Sequence, residues 1–369
     1  MRVIFFLITL GASFPLKGGT ESPTSHTSND RISVGAIRWD AWFGTDVAEG
    51  SQSWYTTKTL SPAKYHYRLP FFAEIKSDGT AYFPEYTQEI MDAEINYAAE
   101  AGIKYWAYVF YTGASAGNAM EKARKLHLTS SVKDKVKISC VFEQRVYQNQ
   151  VARDWVREGI EAGLWMTVDG GRPLMFYMRS DPEVGIEIAY YKKMCEELGV
   201  PPPYSVLLNG GSKAVLAALG ADAISNYVIG LGGGAPYSCL VSESVHVWNK
   251  AKNECPVIPC VTMGWDTRPR YDNPVPWHSV SSTDWVQEAT NEEIITFFKK
   301  AFEWVYENRE TAKAKTILTY AWNENDEGGW ITPTLAVDSE GKQLFNEDSS
   351  KKLNFSKLNA VAKAIAENK

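Results

Sequence analysis

The sequence lacks the motifs of several common enzyme classes. It has only 5 histidines and contains neither H-x-x-x-H nor C-x-x-C, which disfavours a dedicated zinc site. It has no G-x-S-x-G motif of a serine hydrolase. The glycine-rich run 230–234 lacks the P-loop lysine and the spacing of a dinucleotide-binding loop. We therefore expect no metal site and no cofactor, although calcium bound by surface carboxylates stays open.

Positive charge and cysteine are also scarce. The 369 residues include 38 Lys and Arg against 44 Asp and Glu, a formal net charge of −6. Because nucleic acids and anionic membranes attract basic proteins, this balance argues against both as partners. The 5 cysteines fit an oxidising compartment but cannot all pair. A disulfide among Cys239, Cys255 and Cys260 is one possibility, whereas Cys140 and Cys195 are expected to be buried thiols.

Long apolar runs are absent except at the N-terminus. Arg2 precedes the apolar residues 3–10, and small residues follow, a pattern typical of a secretory signal peptide. The run is too short to span a bilayer. We predict a signal peptide over 1–19, a disordered Ser/Thr-rich segment over 20–30 and one domain over 31–369. The expected protein is secreted or lumenal, monomeric and without a membrane span.

The rest of the chain alternates β-prone runs with amphipathic helical patterns. The predicted strands are 32–39, 103–110, 136–142, 173–178, 204–208, 223–228, 257–263 and 316–322. The predicted helices are 86–101, 119–128, 151–162, 184–198, 213–219, 238–250, 291–308 and 351–367. Eight such units predict an α/β fold, a single (β/α)8 TIM barrel, with a long β1–α1 loop over 40–84.

The most unusual stretch is 316–334, an apolar run that turns abruptly polar and acidic. Glu324 and Glu327 are three residues apart, a spacing that can aim both carboxylates into one cleft. Two close carboxylates cannot ionise equally, so one becomes an acid and the other a base. The alternative is a solvated acidic turn. The glycine pair 328–329, which permits close backbone approach, and Trp330 beside the acids favour a site.

A barrel brings the residues that follow its strands to one face. Here they are carboxylates, amides, an arginine and aromatic rings: Asp40, Trp42, Tyr111, Glu143, Asn209, Tyr227, Trp265, Asp266, Arg268 and Trp330. Each alone is equally well explained as a cap or turn residue. Together they suit a carbohydrate substrate, whose hydroxyls need polar groups and whose glycosidic bond needs two acids. The candidates for stacking are Trp42, Trp265 and Trp330. The candidates for hydroxyl binding are Asn209, Tyr227 and Asp266.

The motif Ala321-Trp-Asn-Glu-Asn-Asp-Glu-Gly328 resembles the N-E-W-x-E-G signature of glycoside hydrolase family 99 and its WbsX-like relatives. The stretches 89–103 and 257–270 resemble the same group. Members of family 99 are (β/α)8 retaining endo-α-mannosidases. Their first motif Glu is a base that activates the sugar 2-hydroxyl for attack on C1 through an epoxide-like intermediate, and their second is the general acid/base. The resemblance implies these roles for Glu324 and Glu327, respectively. Asn325 stands where the family has Trp, which widens the expected substrates to other α-linked polysaccharides, including fucans.

The expected activity is thus hydrolysis of an α-linked glycan, endo-acting and retaining, with Glu324 and Glu327 as catalytic residues. Three alternatives stay open. One is a conventional double displacement whose nucleophile is Asp266, Glu143 or Asp40. Another is a non-catalytic carbohydrate-binding protein on the same barrel. The third is a glycosyltransferase-like role in glycan assembly, against which the predicted signal peptide argues.

Overall fold

The computed structural model describes residues 31–42, 48–113 and 119–368. The predicted signal peptide and the Ser/Thr-rich segment lie outside these residues, so secretion stays a prediction. Within the described ranges, every helix is too short or too polar to cross a bilayer.

Eight parallel strands form the centre of the molecule. They are β1 (Ser33–Arg38), β2 (Tyr105–Phe110), β3 (Lys137–Phe142), β4 (Arg172–Tyr177), β5 (Tyr204–Leu208), β6 (Ala223–Ser225), β7 (Cys260–Thr262) and β8 (Thr316–Tyr320). The strands pair in the order β7-β8-β1-β2-β3-β4-β5-β6. A parallel bridge between Ile224 and Val257 joins β6 to the segment that leads into β7 and so completes the ring. The predicted (β/α)8 barrel is confirmed.

Helices connect the strands and cover the barrel. They are α1 (Gln52–Leu60), α2 (Gln88–Glu100), α3 (Ala119–Thr129), α4 (Gln150–Glu161), α5 (Pro182–Glu197), α6 (Lys213–Leu219), α7 (Tyr237–Ala251), α8 (Arg268–Asp272), α9 (Asn291–Glu307) and α10 (Ser356–Glu367). The long loop between β1 and α2 contains α1, the 3-10 turn Ala63–Arg68 and the hairpin of Glu74–Ile75 with Ala81–Tyr82. Trp54 and Tyr55, two of the aromatic residues that the structure describes in this loop, therefore belong to a helix.

Most predicted elements match the structure to within two residues at each end. Strand β7 is shorter than predicted because Pro256 and Pro259 have no N–H to donate to a sheet ladder. Strand β6 ends early because side chains replace its backbone partners: the N–H of Tyr227 donates to Asn209 Oδ1 at 3.1 Å. Helix α10 begins five residues late, since Leu353–Asn354 pairs with Thr334–Leu335. The short strand Thr167–Val168 pairs antiparallel with β4 in a hairpin.

Local sequence explains why the helices begin where they do. Thr290 caps α9 by accepting from the N–H of Glu293, whose carboxylate in turn accepts from the N–H of Thr290. This capping box satisfies two of the backbone donors that a helix start leaves unpaired. The face of α9 that contains Phe297 and Phe298 is fully buried. The helix therefore contributes apolar area to the main core, the principal favourable contribution to folding.

The structure corrects the expectation of a disulfide. Cys239, Cys255 and Cys260 are all free, and only Cys239 is exposed. Cys260 lies in β7, where burial raises the pKa of its thiol to about 12. Cys140 and Cys195 are the buried thiols that were predicted. The barrel is thus held by packing and hydrogen bonds rather than by covalent cross-links.

Gly35 in β1 makes a close packing contact with Tyr105 in the neighbouring strand β2. The ring of Tyr105 lies over it and reaches β8, where the Tyr105 hydroxyl is 3.2 Å from Thr316 Oγ1. A Cβ on Gly35 would come within 2.1 Å of the Tyr105 ring. We expect Gly35→Ala to displace this ring and to lower the free energy of unfolding by about 1–3 kcal/mol in urea denaturation. The control is Gly113→Ala, where a Cβ meets nothing within 4 Å. Equal unfolding midpoints for the two variants would contradict this packing.

Candidate active site

The acidic motif after β8 folds into a tight hairpin at the C-terminal face of the barrel. Asn323–Glu324 pairs antiparallel with Gly329–Trp330, and the 3-10 turn Asn325–Glu327 connects the two. Gly328 has a φ of 85°, and a Cβ there would lie 2.7 Å from the backbone nitrogen of Asp266. Only glycine permits this approach without strain. The turn can therefore pack against the loop that follows β7.

Arg270 in α8 is the centre of the site. Its Nε and Nη2 donate to the two oxygens of Asp326 at 2.7 and 3.0 Å. Its Nη1 donates to Glu327 Oε1, and its Nη2 lies 3.7 Å from Glu324 Oε2. The guanidinium is suited to this because its planar fork matches carboxylate geometry and stays charged when buried. One buried cation thus holds three carboxylates together.

Glu327 is surrounded by donors. Besides Arg270, the hydroxyl of Tyr320 donates to its Oε2, and Nδ1 of His278 donates to its Oε1 at 2.7 Å. Burial opposes ionisation, but Arg270 and His278 outweigh it and lower the pKa of Glu327 to about 2. A carboxylate that accepts several hydrogen bonds and faces a cation favours its charged form. Glu327 is therefore ionised at neutral pH.

Glu324 is the opposite case. Its Oε1 accepts from the hydroxyl of Tyr227 at 2.6 Å, and its nearest cation, Arg270, is farther from it than from Glu327. Burial and the charge of Glu327 raise the pKa of Glu324 well above the usual range. Two interacting carboxylates titrate as a pair, and these contacts give the higher pKa to Glu324 and the lower pKa to Glu327.

Tyr227 and Trp265, two of the rim residues named from the sequence, lie near this pair. Asn209 is exposed and fixes Tyr227 through the hydrogen bond between its Oδ1 and the Tyr227 N–H. The half-buried ring of Trp265 lies 6.2 Å from that of Tyr320, centroid to centroid. Tyr227 thus contacts Glu324 directly, Trp265 packs beside the Glu327 partners, and Asn209 acts through Tyr227.

Tyr111 and Glu143 form a neighbouring part of the rim. The hydroxyl of Tyr111 accepts from Nε1 of Trp39 at 2.9 Å. Burial and then the charge of Glu324 raise the pKa of Tyr111, and Glu143 adds a smaller contribution. Glu143 itself is half-buried after β3, and burial raises its pKa. Both residues are partly exposed, and each follows a barrel strand directly.

Three predicted substrate contacts are corrected by the structure, because the side chains are buried inside the protein. Trp42 donates from Nε1 to the carbonyl of Asn323 at 2.6 Å, and Asp40 accepts from Nδ2 of Asn323 at 3.2 Å. Both are only 1% exposed, so they support the motif without touching solvent. Trp330 is covered by Lys357, whose Nζ lies 3.2 Å from the ring centroid. None of the three offers a surface to a sugar.

Asp266 is also a structural residue. Arg268 donates to its two oxygens at 2.8 and 2.7 Å, and Arg68 donates to Oδ2. Burial opposes the effect, but these arginines lower the pKa of Asp266. The guanidinium of Arg268 also lies 3.9 Å from the ring centroid of Trp285, so Arg268 contacts a second residue of the segment between β7 and α9. With both oxygens occupied, Asp266 is neither a free nucleophile nor a hydroxyl partner.

Sequence reasoning missed four residues of the site. They are Tyr320, Asp326, Arg270 and His278. Arg270 could have been predicted as the partner of the acids, because buried acids require a cation and Arg270 is the last residue of the family-like stretch 257–270. Tyr320 reads as an ordinary core residue of β8, and nothing in the sequence distinguishes His278. Asn325, which stands where family 99 has Trp, is fully buried and donates from Nδ2 to the carbonyl of Arg68 at 2.6 Å.

The site contains no arrangement of metal ligands. Across 31–42, 48–113 and 119–368, no group of three or more His, Cys, Asp or Glu side chains is placed to hold a metal ion. The acids of the motif surround Arg270 instead, and this guanidinium supplies the positive charge that they need.

No protein-family model and no curated protein matches the sequence. Among solved structures, the GH99 endo-α-mannosidase from Bacteroides thetaiotaomicron in complex with BIS-TRIS-propane is similar over 90% of this chain and 95% of its own, with a TM-score of 0.54 and 15% identity. Another structure of a GH99 endo-α-mannosidase from that organism has a TM-score of 0.52 and 15% identity, covering 90% of this chain and 96% of its own. The resemblance to family 99 inferred from the motif is thus confirmed at the level of fold.

Replacing Arg270 tests its role in the site. Arg270→Met leaves Asp326 and Glu327 buried without a cation, and we expect the free energy of unfolding to fall by about 3–5 kcal/mol at pH 7. The loss of unfolding free energy should be smaller near pH 4, because a buried carboxylate that lacks its cation can then be protonated in the folded variant. The control is Arg268→Met. Its side chain is 41% exposed and Asp266 keeps Arg68, so we expect a loss of about 1 kcal/mol or less. Equal losses in urea denaturation would refute the central role of Arg270.

Proposed function

We propose that the protein is a secreted glycosidase that cleaves internal α-linked bonds of a polysaccharide, an α-mannan or a fucan-like polymer, with retention of configuration. One observation carries the proposal: two buried carboxylates with opposite pKa shifts lie on one guanidinium at the C-terminal face of a (β/α)8 barrel. Such a pair is what acid–base cleavage of a glycosidic bond requires. The motif and the similarity in fold to an endo-α-mannosidase support an α-linked substrate.

The proposed reaction uses the proton that the pair holds. Glu324 gives its proton to the glycosidic oxygen as the bond from C1 to that oxygen breaks. On an α-mannoside, whose 2-hydroxyl is trans to the bond that breaks, ionised Glu327 takes the proton of that hydroxyl, whose oxygen attacks C1 and forms an epoxide-like intermediate. An α-fucoside has a cis 2-hydroxyl, so a fucan would need the conventional double displacement with a separate carboxylate nucleophile. Water then opens this ring at C1 and returns a proton to Glu324, while the 2-oxygen recovers its proton from Glu327. Both carboxylates end in their starting states.

This order of roles differs from the one that the resemblance implies, in which the first motif Glu is the base. Both orders need one proton on the pair and differ only in its position. The donors around Glu327, namely Arg270, His278 and Tyr320, support Glu327 as the ionised member. Glu324 has the hydroxyl of Tyr227 and a more distant guanidinium, which supports it as the proton donor.

Hydrolysis by wild type and two variants tests the pair. We expect wild type to release reducing ends from an α-mannan or a fucan, and Glu324→Gln and Glu327→Gln each to lose about 100-fold or more, the usual contribution of a general acid or base. Glu303→Gln is the control, since this exposed residue of α9 lies outside the site, and it should keep full activity. Glu143→Gln tests the alternative nucleophile: activity that survives in both pair variants and is lost in Glu143→Gln would assign the chemistry to Glu143. Polysaccharide binding without turnover in any of the proteins would indicate a carbohydrate-binding protein instead.

A substrate with a good leaving group separates the two roles. A nitrophenyl α-glycoside needs little protonation of its departing oxygen, so removing the general acid should cost little. We expect Glu324→Gln to keep its rate on this substrate within about 10-fold of wild type and to lose the rate on polysaccharide, whereas Glu327→Gln loses both. Initial rates on the two substrates give the answer. The reverse result, with Glu327→Gln as the tolerant variant, would restore the order implied by the resemblance.

A further inference from the structure

An exposed tryptophan lies next to the candidate acids. Trp277 is 40% exposed, and the residue that follows it, His278, contacts Glu327. The hydrophobic effect disfavours leaving so large an apolar ring in water. One exposed ring is unremarkable by itself, but an aromatic ring at the edge of a buried polar site is placed to meet a ligand.

Trp277 belongs to a row of four rings that leads away from Glu327. Its ring centroid lies 6.3 Å from that of Trp39 and 5.7 Å from that of Tyr55. Tyr55 in turn lies 4.8 Å from Trp54. Trp54, Tyr55 and Trp277 are all at least partly accessible, whereas Trp39 is buried. The row therefore begins in the core of the site and continues along its accessible edge.

The inner end of this row is attached to the catalytic motif. The guanidinium of Arg270 lies 5.3 Å from the ring centroid of Trp39. Helix α1, which carries Trp54 and Tyr55, contacts the motif through Thr59, whose Oγ1 lies 3.3 Å from Asp326 Oδ2. The rings are thus held in position relative to the acids before any ligand arrives, which reduces the entropy lost on binding.

We propose that Trp277 and Tyr55 form a stacking subsite for a pyranose unit adjacent to the one that is cleaved. Sugar rings present apolar C–H faces that pack on indole and phenol rings, while their hydroxyls stay solvated. The subsite rests on the proposed glycosidase function, and it assigns the rings to substrate positions beyond the scissile bond. The subsite should therefore contribute to binding of a polymer and not to binding of a monosaccharide derivative.

The test compares Trp277→Ala with a matched control, Tyr306→Ala. Tyr306 is similarly exposed, at 39%, but it lies in the last turn of α9, close to where β8 begins, and hence at the opposite end of the barrel from Glu324. We expect Trp277→Ala to weaken binding of α-mannan or fucan by about 5- to 10-fold in affinity gel electrophoresis, and to raise KM for that polymer similarly with little change in kcat. Trp277→Phe should retain most of the affinity.

The outcomes separate the subsite from the catalytic proposal. Unchanged KM for a nitrophenyl α-monoglycoside in Trp277→Ala, with an unchanged melting temperature, would support a subsite beyond the scissile bond. Equal polymer affinity in wild type and Trp277→Ala would overturn the subsite even if hydrolysis is normal. A wild type that binds neither polymer would overturn it as well. Weakened binding in a protein without turnover would keep the ring surface as a sugar site and overturn the glycosidase.

Discussion

The contact between Arg270 and the acids of the β8 motif is the constraint on which the candidate site depends. Asp326 and Glu327 are buried within one short turn and are bound directly by this guanidinium. Burying carboxylates without a partner costs several kcal/mol for each charge, so the turn could not adopt this form without a cation. Arg270 belongs to the loop after β7, and the contact therefore also joins two adjacent strand ends.

The position of this cation makes two chemically identical side chains different. Glu327 is in direct contact with it and receives two further donors, whereas Glu324 lies 3.7 Å from it and receives the hydroxyl of Tyr227. The difference is geometric and arises from the hairpin, which Gly328 allows to approach Asp266. On a barrel common to many functions, one turn and one arginine give two glutamates opposite pKa shifts.

Much of the fold could be predicted from the sequence because it rests on local patterns. Apolar runs predicted all eight strands, and the errors occurred where Pro256 and Pro259 shorten β7 or where a later pairing delays α10. The proximity of Glu324 and Glu327 could likewise be predicted, because the two residues are only three positions apart in the chain. The pattern after each strand predicts which end of the barrel a residue occupies, but it does not predict where its side chain points.

That missing information explains the errors at the site. Trp42 and Asp40 follow β1 as predicted, but both contact Asn323 in the interior. Trp330 packs under Lys357, and Asp266 forms ion pairs with Arg68 and Arg268. The direction of each side chain depends on partners far away in the sequence. The same holds for Trp277, whose position beside Trp39 and Tyr55 results from three separate segments meeting at one edge.

The central claim is that the pair holds a single proton and that Glu324 carries it. Neutron diffraction from a deuterated crystal at neutral pH measures this directly, because it locates the deuteron on the carboxyl oxygen. The account predicts a deuteron on Glu324 and none on Glu327, with Tyr320 and His278 both donating to Glu327. A deuteron on Glu327, or none on either carboxylate, would contradict the account.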